Sequence, residues 1–176
     1  FDGTDDLLSV ASHNSLAPGA ADWTVALWFR RNGNGDGRDL IGNRAAPATA
    51  SGWLLSFNLY SDQLHTYIGS VAGGWDIIAG GFAQVIADLT WTFLEMKRLG
   101  ATITLYVNLA ANASPVTVGT TAIDDPSGGI FIGACGDGTR ATKSHIGEVY
   151  QWNRALTAQE SLNLYNETKG RYGGGA

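Results

Sequence analysis

The sequence predicts an all-β fold: a two-sheet antiparallel β-sandwich or jelly roll with one short C-terminal helix. Three observations carry that expectation. Short apolar runs alternate with period two, as half-buried strands require. Gly- and Asn-rich turns separate those runs, in a chain with 24 Gly among 176 residues. Charged residues are only 15% while Trp alone numbers 6, against about 25% charged residues in an average soluble domain. That balance suits strands and tight turns better than a helical bundle.

The strands follow in order. Leu7-Leu8-Ser9-Val10 is a short apolar run after an Asp/Gly turn. Trp23 to Arg31 carries the strongest pattern, with Trp23, Val25, Leu27 and Phe29 on one face and Ala26 and Trp28 on the other. Both faces are apolar, which predicts a central strand covered on both sides. Asn32-Gly33-Asn34-Gly35-Asp36-Gly37 supplies the positive φ of a hairpin turn. Asp39-Leu40-Ile41-Gly42 is the next strand. Trp53 to Tyr60, a turn at Ser61-Asp62 and Leu64 to Ile68 form a hairpin. Trp91 to Leu99 and Ala101 to Leu109 form another about Gly100, with Ile103, Leu105 and Val107 on one face. Ile130-Phe131-Ile132-Gly133 and His145 to Trp152 complete the set.

One segment reads as helix. Thr157-Ala158-Gln159-Glu160 is a capping box, in which Thr and Glu each satisfy an amide of the first turn. Leu162 and Tyr165 follow at i, i+3 spacing, and Gly170 is the expected stop. One domain over residues 1–172 with a flexible Gly-rich tail at 173–176 accounts for the chain.

Composition narrows function. There are 11 basic and 16 acidic residues, a net charge of -5, with no Lys/Arg cluster. Nucleic-acid affinity rests on phosphate contacts, so this balance argues against it. No apolar run approaches the roughly 20 residues that span a bilayer. Cys135 is alone, and reads as a small buried residue at a strand end. The chain starts at Phe1 without a signal peptide, which suggests a processed leader or a piece of a longer protein.

Three stretches carry a family resemblance. They are Phe1-Asp2-Gly3-Thr4-Asp5-Asp6-Leu7-Leu8-Ser9-Val10, Trp23-Thr24-Val25-Ala26-Leu27-Trp28-Phe29-Arg30, and Ile146-Gly147-Glu148-Val149-Tyr150-Gln151-Trp152-Asn153-Arg154-Ala155-Leu156-Thr157. They resemble, in this order, the first strand, the Trp-bearing strand and the closing strand with its Asn-Arg-Ala-Leu corner of laminin-G-like domains. That family belongs to the concanavalin-A-like lectin and glucanase superfamily. The hairpin from Trp91 to Leu109 matches in kind, although Asn108 is followed by Leu109 where the family has Gly. The resemblance implies a jelly roll and a role in adhesion or glycan binding. Since relatives include glucanases, catalysis has to be judged on residues.

Glycoside hydrolysis needs two carboxyls about 5–10 Å apart. Within the expected strands only Glu95 and Glu148 stand out, and neither has a carboxylate at i+2. His13, His65 and His145 are not at metal-ligand spacing. The expectation is a non-enzyme with no catalytic residue. Calcium is the candidate cofactor, through the oxygen-rich Asp2, Asp5 and Asp6. The resemblance weakens that site, because Gly147 stands where many family members carry Asp. The same Asp residues also suit simple turn chemistry, as does the Asn32 to Asp36 stretch. For a sugar, Trp75 after Gly73-Gly74 is the aromatic most open to solvent, with Tyr67, Tyr60 and Asp76 as companions. A Trp closing an edge of the sandwich is the competing account.

Two functions follow. One is a non-catalytic surface module for carbohydrate binding or adhesion. The other is a structural decoration or fibre protein on a phage particle or other extracellular array, its partners being other subunits. Either sets the domain outside the cell or on a particle surface, without membrane insertion. A glycoside hydrolase comes third.

Overall fold

The computed structural model describes residues 1–13, 16, 19–32, 39–45, 52–57, 63–69, 77–79, 86–118, 122–123 and 129–173, with backbone alone at 77–79 and 112–114. Among them eleven strands build two antiparallel sheets. In chain order the strands are β1 (Leu8–Val10), β2 (Trp23–Arg31), β3 (Asp39–Gly42), β4 (Gly52–Phe57), β5 (Leu64–Gly69) and β6 (Ile77–Ala79). They continue with β7 (Trp91–Leu99), β8 (Thr102–Val107), β9 (Ala110–Thr117), β10 (Ile130–Ile132) and β11 (Ser144–Trp152). The six-stranded sheet runs β1-β10-β3-β4-β5-β6, and the five-stranded sheet β11-β2-β7-β8-β9. One helix, α1 (Ala158–Thr168), follows.

The expected jelly-roll sandwich is therefore present. Its core lies between the sheets, where Trp23, Val25, Leu27 and Phe29 of β2 meet Trp53, Leu55 and Phe57 of β4 and Leu64 and Ile68 of β5. Trp23 and Trp53 pack with ring centroids 5.4 Å apart across the two sheets. Each such buried side chain contributes about 1.5–3 kcal/mol of apolar burial.

The second face of β2 is covered too. Ala26 and Trp28 form a smaller cluster with Phe93 of β7, and Tyr165 of α1 and Tyr172 pack onto it. Trp28 stacks on Tyr165 at 5.5 Å and on Tyr172 at 4.8 Å. The C-terminal helix thus roofs the outer face of the five-stranded sheet. Its start is the expected capping box: the Thr157 side chain accepts from the Glu160 amide, and the Glu160 side chain accepts from the Thr157 amide. A bidentate pair from Arg154 to Glu160 adds to it. That pairing, with the Thr157 bonds, holds the Glu160 carboxyl down to about 2.

Five details differ from the sequence expectation. Gly170 does not stop the helix, which tightens into a 3₁₀ turn, Lys169–Tyr172, and ends at Gly173 with φ of 65°. The pull of Tyr172 onto Trp28 explains the extra turn. Leu162 is exposed, so Tyr165 and Leu164 carry the contact instead. The strand after Gly100 is shorter, Thr102–Val107, because Asn108 and Leu109 both take positive φ, 48° and 69°. Those two residues form a primed two-residue turn, which matches the right-handed twist of its strands. It leads into β9, a strand that weak alternation in Ala110-Ala111-Asn112-Ala113 hides. Asn108 compensates for the missing Gly: its backbone N–H donates to Phe93 O at 2.8 Å and its Oδ1 accepts from Phe93 N at 2.9 Å. Short β6 was not anticipated either.

Candidate functional site on the six-stranded sheet

Alternation in β5 sets the site. Leu64 and Ile68 point into the core, and Thr66 donates to the sulfur of core residue Met96 at 3.4 Å. His65 and Tyr67 must then occupy the outer face. Across the sheet His65 pairs with Ser56 of β4, and Ser56 with Asp39 of β3. Register alone therefore lines up an imidazole, a hydroxyl and a carboxylate, with Tyr67 one pleat further along.

Asp39 is the hub. It is 1% exposed. Arg140 Nε donates to its Oδ1 at 2.9 Å, Cys135 Sγ donates to its Oδ2 at 2.8 Å, and Arg44 lies 3.7 Å away. Burial and the neighbouring Asp39 carboxylate push the Cys135 thiol strongly upward. The segment from Gly133 to Thr142 delivers two of these groups by folding back over the outer face. Its path is tight: a Cβ on Gly136 would stand 2.6 Å from the Phe131 ring. Arg140 holds a left-handed backbone, φ of 57°, while its guanidinium reaches Asp39. An αL conformation costs a non-Gly residue about 1–2 kcal/mol, and a buried charge-assisted hydrogen bond is of the size to offset it.

Tyr67 stands at the rim of this network. It is half-buried, and its ring stacks on His65 at 5.9 Å and 24°. Burial raises its hydroxyl pKa; Asp39 adds to this, while Arg140, Arg44 and a hydrogen bond with Ser56 oppose it. The phenol is therefore a neutral donor and acceptor at physiological pH. Burial lowers the pKa of His65, so the imidazole is neutral as well. The result is an aromatic pair beside a guanidinium that is 28% exposed. Such a surface stacks against C–H faces and donates to hydroxyls or carboxylates.

Of the other sequence candidates, Trp75, Tyr60 and Asp76 lie outside the described residues. Asp2, Asp5 and Asp6 are exposed. Two of them serve their own turn: Thr4 N donates to Asp2 Oδ1 and Asp2 N to Asp6 Oδ2, both at 2.8 Å. Among the described residues no three His, Cys, Asp or Glu side chains converge to hold a metal ion. Gly147 is also occupied from outside, since a Cβ there would be 2.6 Å from the Tyr172 ring. The donor set fits turn chemistry better than calcium. The strand carboxylates each have a cation: Glu95 pairs with Lys97 at 2.7 Å, and Glu148 with Arg171. Arg140 and Asp39 were not foreseen as site residues; nothing in sequence spacing links positions 101 apart.

Two antiparallel sheets of this order with a roofing C-terminal helix make a jelly-roll β-sandwich. The chain belongs to the concanavalin A-like lectin/glucanases superfamily, whose laminin-G model matches residues 2–160. No sequence relative among curated proteins matches. Among solved structures, the botulinum neurotoxin serotype D ligand-binding domain in complex with N-acetylneuraminic acid superposes with a TM-score of 0.68 at 13% identity, over 94% of this chain and 41% of that one. A protein from Bacteroides ovatus assigned to carbohydrate binding gives 0.63 at 14%, over 88% and 42%. Trypanosoma rangeli sialidase in complex with sialic acid gives 0.61 at 17%, over 85% and 23%. The chain thus spans less than half the length of each, and at these identities the likeness is one of fold.

Proposed function

We propose that this domain is a non-catalytic carbohydrate-binding module that engages sugar on the outer face of the six-stranded sheet, at Tyr67. The observation that carries the reading is the half-buried Tyr67 ring, stacked on buried His65 and within electrostatic reach of the partly exposed Arg140 guanidinium. Aromatic rings receive the apolar face of a sugar, and a guanidinium supplies donors in a fixed fork. Structural neighbours that hold sialic acid support the choice of glycan as ligand class. Trp75 and Asp76 precede β6, the strand that pairs with β5 through Ile78 and Tyr67, and belong to the same proposal. An extracellular setting goes with it.

The test is a glycan array that includes sialylated oligosaccharides. Wild-type protein should give saturable binding to a restricted glycan class. Tyr67→Ala, Arg140→Ala and Trp75→Ala should each weaken it while circular dichroism stays native. A blank array with well-folded wild-type protein overturns the proposal, as does turnover of any glycan on the array.

A further inference from the structure

The outer face of the five-stranded sheet carries a second cluster. Arg30 follows Trp28 by two residues on β2, so alternation sets it on the same outer face. Register places His145 of β11 on one side of it and Trp91 of β7 on the other. The three side chains converge. The Arg30 guanidinium carbon lies 5.9 Å from the centroid of the Trp91 ring, and the Trp91 and His145 rings meet edge-on at 6.3 Å. Tyr172 packs on Trp91 at 4.7 Å.

Among the described arginines, Arg30 is the one without an acceptor. Arg31, Arg44, Arg140, Arg154 and Arg171 each pair with a carboxylate, and Arg98 donates to two backbone carbonyls. Arg30 Nε is buried and meets no acceptor, and neither Nη atom meets one among the described residues. The side chain is half-buried and its only buried unmet nitrogen is Nε, so the Nη end of the fork reaches solvent. His145 beside it is exposed. Glu148, the carboxylate on the strand of His145, is already held by Arg171 and by the Tyr150 hydroxyl at 2.9 Å. A half-buried guanidinium with no counter-charge is unfavourable, and the Trp91 ring offsets only part of that cost. The Nη donors stay unused.

We infer that Arg30 and His145 form a binding site for a carboxylate, taken end-on by the two Nη atoms of Arg30 with the His145 imidazole as a further donor. Charge selects an anion. Geometry selects the carboxylate, because a planar fork of N–H groups matches two oxygens in one plane, and Trp91 holds that fork by its ring. The net charge of -5 gives anions no long-range attraction to this chain, so the selection is local. The carboxylate of a sugar acid and that of a simple organic acid share this chemistry. This site is on the opposite sheet from Tyr67 and stands independently of the reading given for that residue.

The experiment is an amide NMR titration of the wild-type domain, at constant ionic strength, with methyl β-glucuronide, methyl β-glucoside, acetate and sulfate. Saturable shifts at Arg30, Trp91 and His145 with the glucuronide, absent with the uncharged glucoside, are the expected result. Saturation at the same amides by acetate would assign the site to carboxylates in general; saturation by the glucuronide alone would assign it to sugar acids. Arg30→Gln should weaken binding about tenfold or more, through loss of the charge-assisted hydrogen bonds. His145→Ala, at an exposed position, should weaken it less with the spectrum otherwise native. No saturable shift with either carboxylate, equal shifts with the glucoside, sulfate binding as tightly as the glucuronide, or unchanged affinity in either variant would each overturn the inference.

Discussion

The indole Nε1 of Trp28 donates to Thr168 Oγ1 at 2.8 Å, joining positions 140 apart in the chain. Trp28 is 1% exposed and Thr168 2%, so water does not replace that bond readily. Thr168→Val keeps the shape and removes the acceptor. The orphaned N–H should cost about 1–3 kcal/mol, read as a lower urea midpoint with an unchanged m-value. An unchanged midpoint would mean that stacking alone seats the helix.

Gly147 and Tyr172 form the next clasp. The Glu148 N–H donates to Tyr172 Oη at 2.9 Å, and the ring leaves no room for a Cβ at position 147. Gly147→Ala should destabilise by about 1–3 kcal/mol, the usual cost of overpacking. In a Tyr172→Ala background the same change should be nearly neutral. A double-mutant cycle reads this coupling, and additivity would refute the steric account.

Stability should fall as the solution is acidified through the histidine range. Burial lowers the pKa of His65 in the folded state, while the unfolded side chain titrates near 6.5. Below about 6.5 the unfolded chain gains a proton that the folded one refuses, so unfolding becomes easier. His145 acts in the same direction, through burial first and then Arg30 and the N-terminal ammonium. Chemical unfolding at about pH 7.5 and 5.5 should show a smaller drop for His65→Gln than for wild type.

The Cys135 thiol should resist labelling. It is 1% exposed and donates to Asp39, so the reactive thiolate is suppressed. A disulfide reagent at mildly alkaline pH should label the native protein only as fast as it unfolds. Labelling that outpaces unfolding would show that the Gly133 to Thr142 segment opens locally.

Calcium should not stabilise the fold. A ligand at a hundred times its Kd would add about 2.7 kcal/mol. Melting curves with calcium and with EDTA should instead coincide. An upward shift with calcium that disappears in Asp2→Asn or Asp6→Asn would restore the metal site at the N-terminal turn.

Much of the fold is written in local pattern. Two-sided apolarity from Trp23 to Phe29 determines that β2 is central, since only burial on both faces satisfies it. Thr157 and Glu160 determine where the helix begins, because a capping box closes within four residues. The aromatic at Tyr67 was legible as a candidate for the same reason: it needs only its own strand. Tertiary structure alone decided the rest. Asp39 meets Arg140 across 101 positions and Trp28 meets Thr168 across 140, and no periodicity encodes such encounters. Glu95 reads in sequence as a lone strand carboxylate. Only the helix packed above it buries that carboxylate against Lys97 and Ser161, because burial is a property of what the chain brings back, not of the residue itself.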